Sequence, residues 1–119
     1  MKILTILIVE DEALLREISI MEFEDAGFRV VGAATGDEAL ALLAGDPGID
    51  VMFTDIGLRD SIDGWAIAEQ ARTLRPDLAV IYATGQAPET ERVVAGALYF
   101  QKPFLGADVI EAAREMLVR

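Results

Sequence analysis

Five short apolar runs, set apart by segments of helical period, constrain this chain more than any other feature. The first, ILTILIV at 3–9, is almost unbroken and rich in β-branched side chains. A strand has this character when both faces of its sheet are covered. VVGA at 30–33, IDVMFT at 49–54, LAVIYA at 78–83 and ALYFQ at 97–101 repeat the theme. Between the first two runs the period changes. Leu14, Leu15, Ile18, Met21 and Ala26 fall on one helical face, expected to turn inward, and Gly27 supplies a stop. Thr35 and Glu38 have capping-box spacing ahead of a helix lined by Ala39, Leu42 and Leu43, and DPG at 46–48 is turn chemistry. A helix over 64–74 directs Ala68, Ala71, Leu74 and a partly buried Trp65 to the core, and Pro76 closes it. A short helix is expected over 88–95, limited by Gly96. The last is expected over 107–118, with Val109, Ile110, Ala113, Met116 and Leu117 inward.

Strands that alternate with helices in this way call for helical crossovers. The expectation is an α/β fold: a doubly wound, five-stranded parallel sheet with five helices on its two faces. At 119 residues, with no repeat, linker or low-complexity tract, the chain is expected to be one domain over 1–119. Its 53% apolar content argues against disorder.

Composition narrows the chemistry. With neither cysteine nor histidine, disulfides, thiolate catalysis and nitrogen- or sulfur-ligated zinc are all excluded. Any metal must sit on oxygen ligands, which favour Mg²⁺, Ca²⁺ or Mn²⁺. A net charge of −11 repels a phosphate backbone, so direct nucleic-acid binding is not expected. No apolar run approaches a membrane span and no secretory signal is evident, so a cytoplasmic location is expected.

Doubly wound sheets bind ligands beyond the carboxyl ends of their strands. There the sequence places Glu10 and Asp11 after the first run, Asp55 after the third, Thr84 and Gly85 after the fourth, and Lys102 and Pro103 after the fifth. Each has an ordinary alternative: Asp11 or Glu12 can cap a helix, Thr84 can be a turn hydroxyl, Lys102 a surface lysine. Their coincidence at successive strand ends points instead to one site. Crowded carboxylates repel one another, and a divalent cation relieves that repulsion. With the cation and the Lys102 ammonium offsetting its charge, a phosphoryl group can be attacked by Asp55, giving an acyl phosphate. Thr84 can donate to a phosphoryl oxygen. Tyr99 either fills vacated space or stays in solvent as a two-position element. Phe100 and Phe104 are expected to pack around the lysine, and a cis bond at Pro103 is compatible with the sequence.

ILIVEDE at 6–12, TDI at 54–56, DG at 63–64, ATG at 83–85 and KPF at 102–104 together resemble the receiver domain of bacterial two-component response regulators. The resemblance covers the whole chain. It implies a flavodoxin-like sheet in the order 2-1-3-4-5, with Asp55 as phosphoacceptor. Glu10, Asp11, Asp55 and the backbone carbonyl of Gly57 would hold Mg²⁺. Thr84 and Lys102 would contact the phosphoryl group, with Thr84 and Tyr99 as the switch pair. Gly57 and Gln86 would tune dephosphorylation. The implied donor is a phosphohistidine on a sensor histidine kinase or histidine phosphotransfer protein, and a homodimer is among the implied partners. The resemblance implies a protein that catalyses no more than its own phosphorylation and dephosphorylation.

The chain departs from the pattern in three places. Its metal pair is Glu-Asp, its loop after Asp55 is long, and the stretch from Thr84 to Lys102 is short enough to trim the fourth helix. No output domain follows in the sequence given, so output is expected through protein contacts. The competing readings are a pseudo-receiver that only binds proteins and a Mg²⁺-dependent aspartyl-phosphate phosphohydrolase. The latter favours a second acid where this chain has Gly57.

Overall fold

The computed structural model describes residues 3–58, 63–85 and 92–117. Five parallel strands, β1 (Thr5–Val9), β2 (Arg29–Ala33), β3 (Val51–Asp55), β4 (Ala79–Thr84) and β5 (Leu98–Gln101), form one sheet in the order β2-β1-β3-β4-β5. The helices are α1 (Ala13–Asp25), α2 (Gly36–Gly45), α3 (Gly64–Leu74) and α4 (Gly106–Leu117).

The alternation of each strand divides its side chains between two cores. Leu7, Val9, Met52, Val80 and Tyr82 join α2 and α3 on one face. Ile6, Ile8, Val51, Phe53, Ile81 and Ala83 join α1 and α4 on the other. Both sets are buried, as the unbroken apolar runs require.

Local chemistry sets the helix ends. Thr35 Oγ1 accepts from the Glu38 N–H at 3.1 Å, while Glu38 Oε1 reaches back to the Ala34 N–H at 2.9 Å. This is the expected capping box, displaced by one residue at its return bond. Asp63 Oδ1 caps α3 through the Ala66 N–H at 2.8 Å. At the end of α1, Gly27 takes φ +97°, its N–H bonds Glu24 O at 2.9 Å, and the Phe28 N–H bonds Phe23 O at 3.0 Å. The Phe23 and Phe28 rings then meet edge to face, 5.2 Å between centroids, completing a Schellman stop.

Three expectations are corrected. Four helices, not five, are present among the described residues. Of the helix expected over 88–95, the residues before 92 lie outside the described ones; Arg92 is 3₁₀-helical and the chain from 93 to 96 is bend and turn, with no α-helix. There the Ala97 N–H bonds Val94 O at 3.1 Å and Gly96 takes φ +74°, a left-handed conformation that ends helical propagation.

The second correction concerns α1. Leu14, Leu15, Ile18 and Met21 are exposed, and the helix instead turns Ser19, Ile20, Phe23 and the stem of Arg16 inward. The sequence offers α1 two competing apolar stripes, and the one carrying Phe23 buries the larger ring. Finally, Trp65 is buried at 4% exposure, stacked at a tilt on Tyr82 with centroids 4.8 Å apart, whereas Leu74 is half-exposed. No helix among the described residues is long and apolar enough to cross a membrane.

Candidate functional site

The alternation that builds the second core also aims three charged residues at one place. Glu10 lies two residues beyond Ile8, Asp55 two beyond Phe53, and Lys102 two beyond Phe100. Ile8 is in register with Phe53, and Ala83 with Phe100, so all three side chains leave the sheet on the α1/α4 side of its carboxyl edge. Strand β4 separates Lys102 from β3. Its residue at that level is Ala83, aligned with Asp55, and so small a side chain lets the lysine stem pass over it.

Asp55 is 9% exposed, the last residue of β3. Its Oδ2 accepts from Lys102 Nζ at 3.0 Å and its Oδ1 from the Gly57 N–H at 3.1 Å. A buried carboxylate needs such partners, and here both oxygens have one. Glu10 is held from two sides: its N–H donates to Ala33 O at 3.0 Å, and Arg16 Nη1 donates to its carbonyl at 2.8 Å. Glu10 Oε2 accepts from the Glu12 N–H at 3.1 Å. Glu12 is the N-cap of α1, and its side chain makes no capping bond, so capping does not account for that acid.

Glu10, Asp11 and Asp55 each present a carboxylate oxygen within 4.8 Å of the others. Partial burial pushes the Glu10 carboxyl above its ordinary range. The Glu12 N–H opposes that rise, and the nearby Asp55 charge and Asp11 hydrogen bond add to it. A cation among these oxygens relieves the repulsion. The donor set is all hard oxygen, and opposite ligands in a Mg²⁺ shell stand about 4 Å apart, so little closure is needed. The cluster has the make-up of a metal-binding site.

The remaining sequence-predicted residues take these places. Gly57 lies beside the Asp55 carboxylate, where an added Cβ would sit 3.9 Å from Oδ1. Thr84 ends β4, buried, and its carbonyl accepts from the Lys102 N–H at 2.7 Å, which ties the exit of β5 to the rim. Tyr99, aligned with Tyr82, is 47% exposed on β5. Gln86 lies outside the described residues. The Lys102–Pro103 bond is cis, and Phe104 packs on Phe53 and Phe100 with centroids 5.8 and 6.3 Å apart.

One supporting residue was not singled out from sequence, and another entered only within the DG motif at 63–64. Arg16 braces the β1–α1 loop from the inward face of α1. At Gly64, a Cβ would stand 2.3 Å from the Asp55 carbonyl oxygen and 2.7 Å from Ile56 Cα. The helix start can approach the back of the site only because that residue has no side chain. The signal was present as a cap residue, Asp63, followed at once by glycine.

A family model described as the response regulator receiver domain matches residues 6–114. The response regulator SaeR of Staphylococcus aureus is 30% identical over 118 residues, covering 96% of this chain and 50% of that protein. The chain thus spans about half the length of the curated relatives it matches. Among solved structures, a response regulator receiver protein from Sinorhizobium medicae superposes with TM-score 0.90 at 32% identity, covering 98% of this chain and 95% of that one. A CheY-like receiver domain protein from Methanospirillum hungatei gives TM-score 0.86 at 32% identity, covering 96% and 93%.

Proposed function

The chain belongs to the response regulator receiver domain family, a phosphoacceptor in two-component signalling, and from that premise we propose that Asp55 is the residue that takes the phosphoryl group. The reading is carried by one observation: the buried Asp55 carboxylate lies 3.0 Å from the Lys102 ammonium and within 4.8 Å of oxygens of Glu10 and Asp11. An Asp55 oxygen forms the new O–P bond as the donor's P–N or P–O bond breaks, and the electron pair leaves with the donor. Mg²⁺, bound by Glu10, Asp11, Asp55 and the Gly57 carbonyl, would supply positive charge against the transferring oxygens. Lys102 releases Asp55 Oδ2 and follows the charge onto the phosphoryl group, while Thr84 donates its hydroxyl. Tyr99, on the solvent side of β5, is the second switch residue. Gly57 and Gln86 set how readily water reaches the acyl phosphate, and the domain is taken to occupy 1–119.

The donor we infer is a phosphohistidine on a sensor kinase or phosphotransfer protein, in the cytoplasm. The exposed Leu14, Ile18 and Met21 support this, because α1 starts directly after Glu10 and Asp11 and offers that donor an apolar face beside Asp55.

The test is incubation with Mg²⁺ and acetyl phosphate, followed by intact mass and peptide mapping. One phosphoryl adduct on Asp55, absent in Asp55→Asn, is expected. A wild type that binds partners but never carries phosphate would instead be a pseudo-receiver, and multiple turnover of a phosphoester would make it a hydrolase.

A further inference from the structure

A cavity of about 30 Å³ lies behind the Asp55–Lys102 pair, between α1 and the carboxyl edge of the sheet. Its polar lining is Glu10, Asp55, Lys102 and Ser19, set among Ile8 and Phe104. We propose that Ser19 is a positioning residue for Lys102, acting through a water molecule held in this cavity. The proposal rests on the reading of Asp55 and Lys102 given above.

Ser19 stands on the inward line of α1 with Ile20 and Phe23, where packing against the sheet favours an apolar side chain. A partly buried hydroxyl in such a place takes its partner from protein or from water. Thr73, also helical, bonds back to its own helix through Glu69 O at 3.1 Å. Ser19 has no such bond, and no hydrogen-bond partner for it is found among the described residues.

The other groups at the cavity have capacity to spare. Lys102 Nζ spends one of its three N–H groups on Asp55 Oδ2 and keeps two, and a carboxylate oxygen such as Glu10 Oε2, which accepts from the Glu12 N–H, has a second lone pair. A water needs roughly 10–15 Å³ and two to four polar partners, and the site supplies both. Accepting from the ammonium and bonded to Ser19 Oγ, that water fixes the torsion of the long lysine stem. The ammonium is then held at Asp55 before the phosphoryl group arrives. Much of the entropy of ordering a flexible lysine is lost in advance of the reaction.

The test compares initial rates of Asp55 phosphorylation by acetyl phosphate in wild type, Ser19→Ala, Lys102→Ala and the double variant, with Mg²⁺ affinity measured on each. Alanine suits a helix, so Ser19→Ala should fold. It should slow phosphorylation about three- to tenfold, the worth of one hydrogen bond at the barrier, with Mg²⁺ affinity unchanged. In the Lys102→Ala background the same substitution should have no further effect. The proposal is overturned by a wild-type rate in Ser19→Ala or by a factor that persists without Lys102. A fall in Mg²⁺ affinity matching the fall in rate, which would route the effect through Glu10, also overturns it. So does a crystal structure with no water joining Ser19 to Lys102. A wild type that takes no phosphate defeats the Asp55 reading itself, which is a separate outcome.

Discussion

At the scale of single residues, the site depends on a few side chains whose removal has distinct signatures. Lys102→Ala leaves Asp55 without its cation and should slow phosphorylation by acetyl phosphate about 100-fold, the range seen when a preorganised charge partner is removed. Gly64→Ala acts by crowding. Its Cβ meets backbone rather than a flexible side chain, so urea denaturation should show a loss of about 1–3 kcal/mol. Asp46 makes a third case, away from the site. The Arg29 guanidinium 2.7 Å from its Oδ2, helped by the Gly48 N–H, holds its carboxyl below the ordinary range. Its folded value lies under its unfolded one, so its contribution is complete above the unfolded value and disappears as pH falls through the folded one. The difference in urea midpoint between wild type and Asp46→Asn should therefore be constant near neutrality and shrink to nothing in acid. Glu10, Asp11, Asp55 and Lys102 were legible in the sequence because each follows an apolar run directly. Arg16 and Ser19 were not, since their importance depends on which stripe of α1 faces the sheet.

At the scale of elements, the strands were legible and one helix face was not. Strands in a covered sheet announce themselves through unbroken apolar runs, and each of the five lies where such a run stands, although β5 at the edge is largely exposed. Helix α1 carries two apolar stripes on nearly opposite sides, and periodicity alone does not rank them. Only packing does, by seating Phe23 against Phe28 and Phe53. The stripe left outside gives the element-scale prediction. Leu14→Gln with Ile18→Gln should change stability by no more than about 0.5 kcal/mol, as exposed substitutions do. It should leave phosphorylation by acetyl phosphate unaltered yet slow transfer from a phosphohistidine protein about tenfold or more, because only a protein donor needs the apolar contact. Among the described residues, the end of the helix expected between β4 and β5 is not α-helical, for a different reason. Its sequence span is short, and its end, at Gly96, is a left-handed turn.

At the scale of the molecule, the chain holds a strongly acidic field, and among the described residues three of its carboxylates, Glu10, Asp11 and Asp55, crowd together at the rim. Anything that binds the folded rim but not the unfolded chain stabilises the fold by mass action. Saturating Mg²⁺, at a hundred times its dissociation constant, should add about 2.7 kcal/mol and raise the melting temperature, and Asp11→Asn should abolish most of that rise. The lone tryptophan follows from the same architecture. Trp65 sits one residue after Gly64, whose backbone abuts that of Asp55, and its indole is sealed against the Tyr82 phenol. A movement of the Asp55 loop on loading would therefore reach the lone tryptophan, which is shielded from solvent quenchers. Emission from that indole should then serve as a label-free optical gauge of loading, shifting as Mg²⁺ is titrated in and again on phosphorylation; unchanged emission at saturation would show the two are not linked.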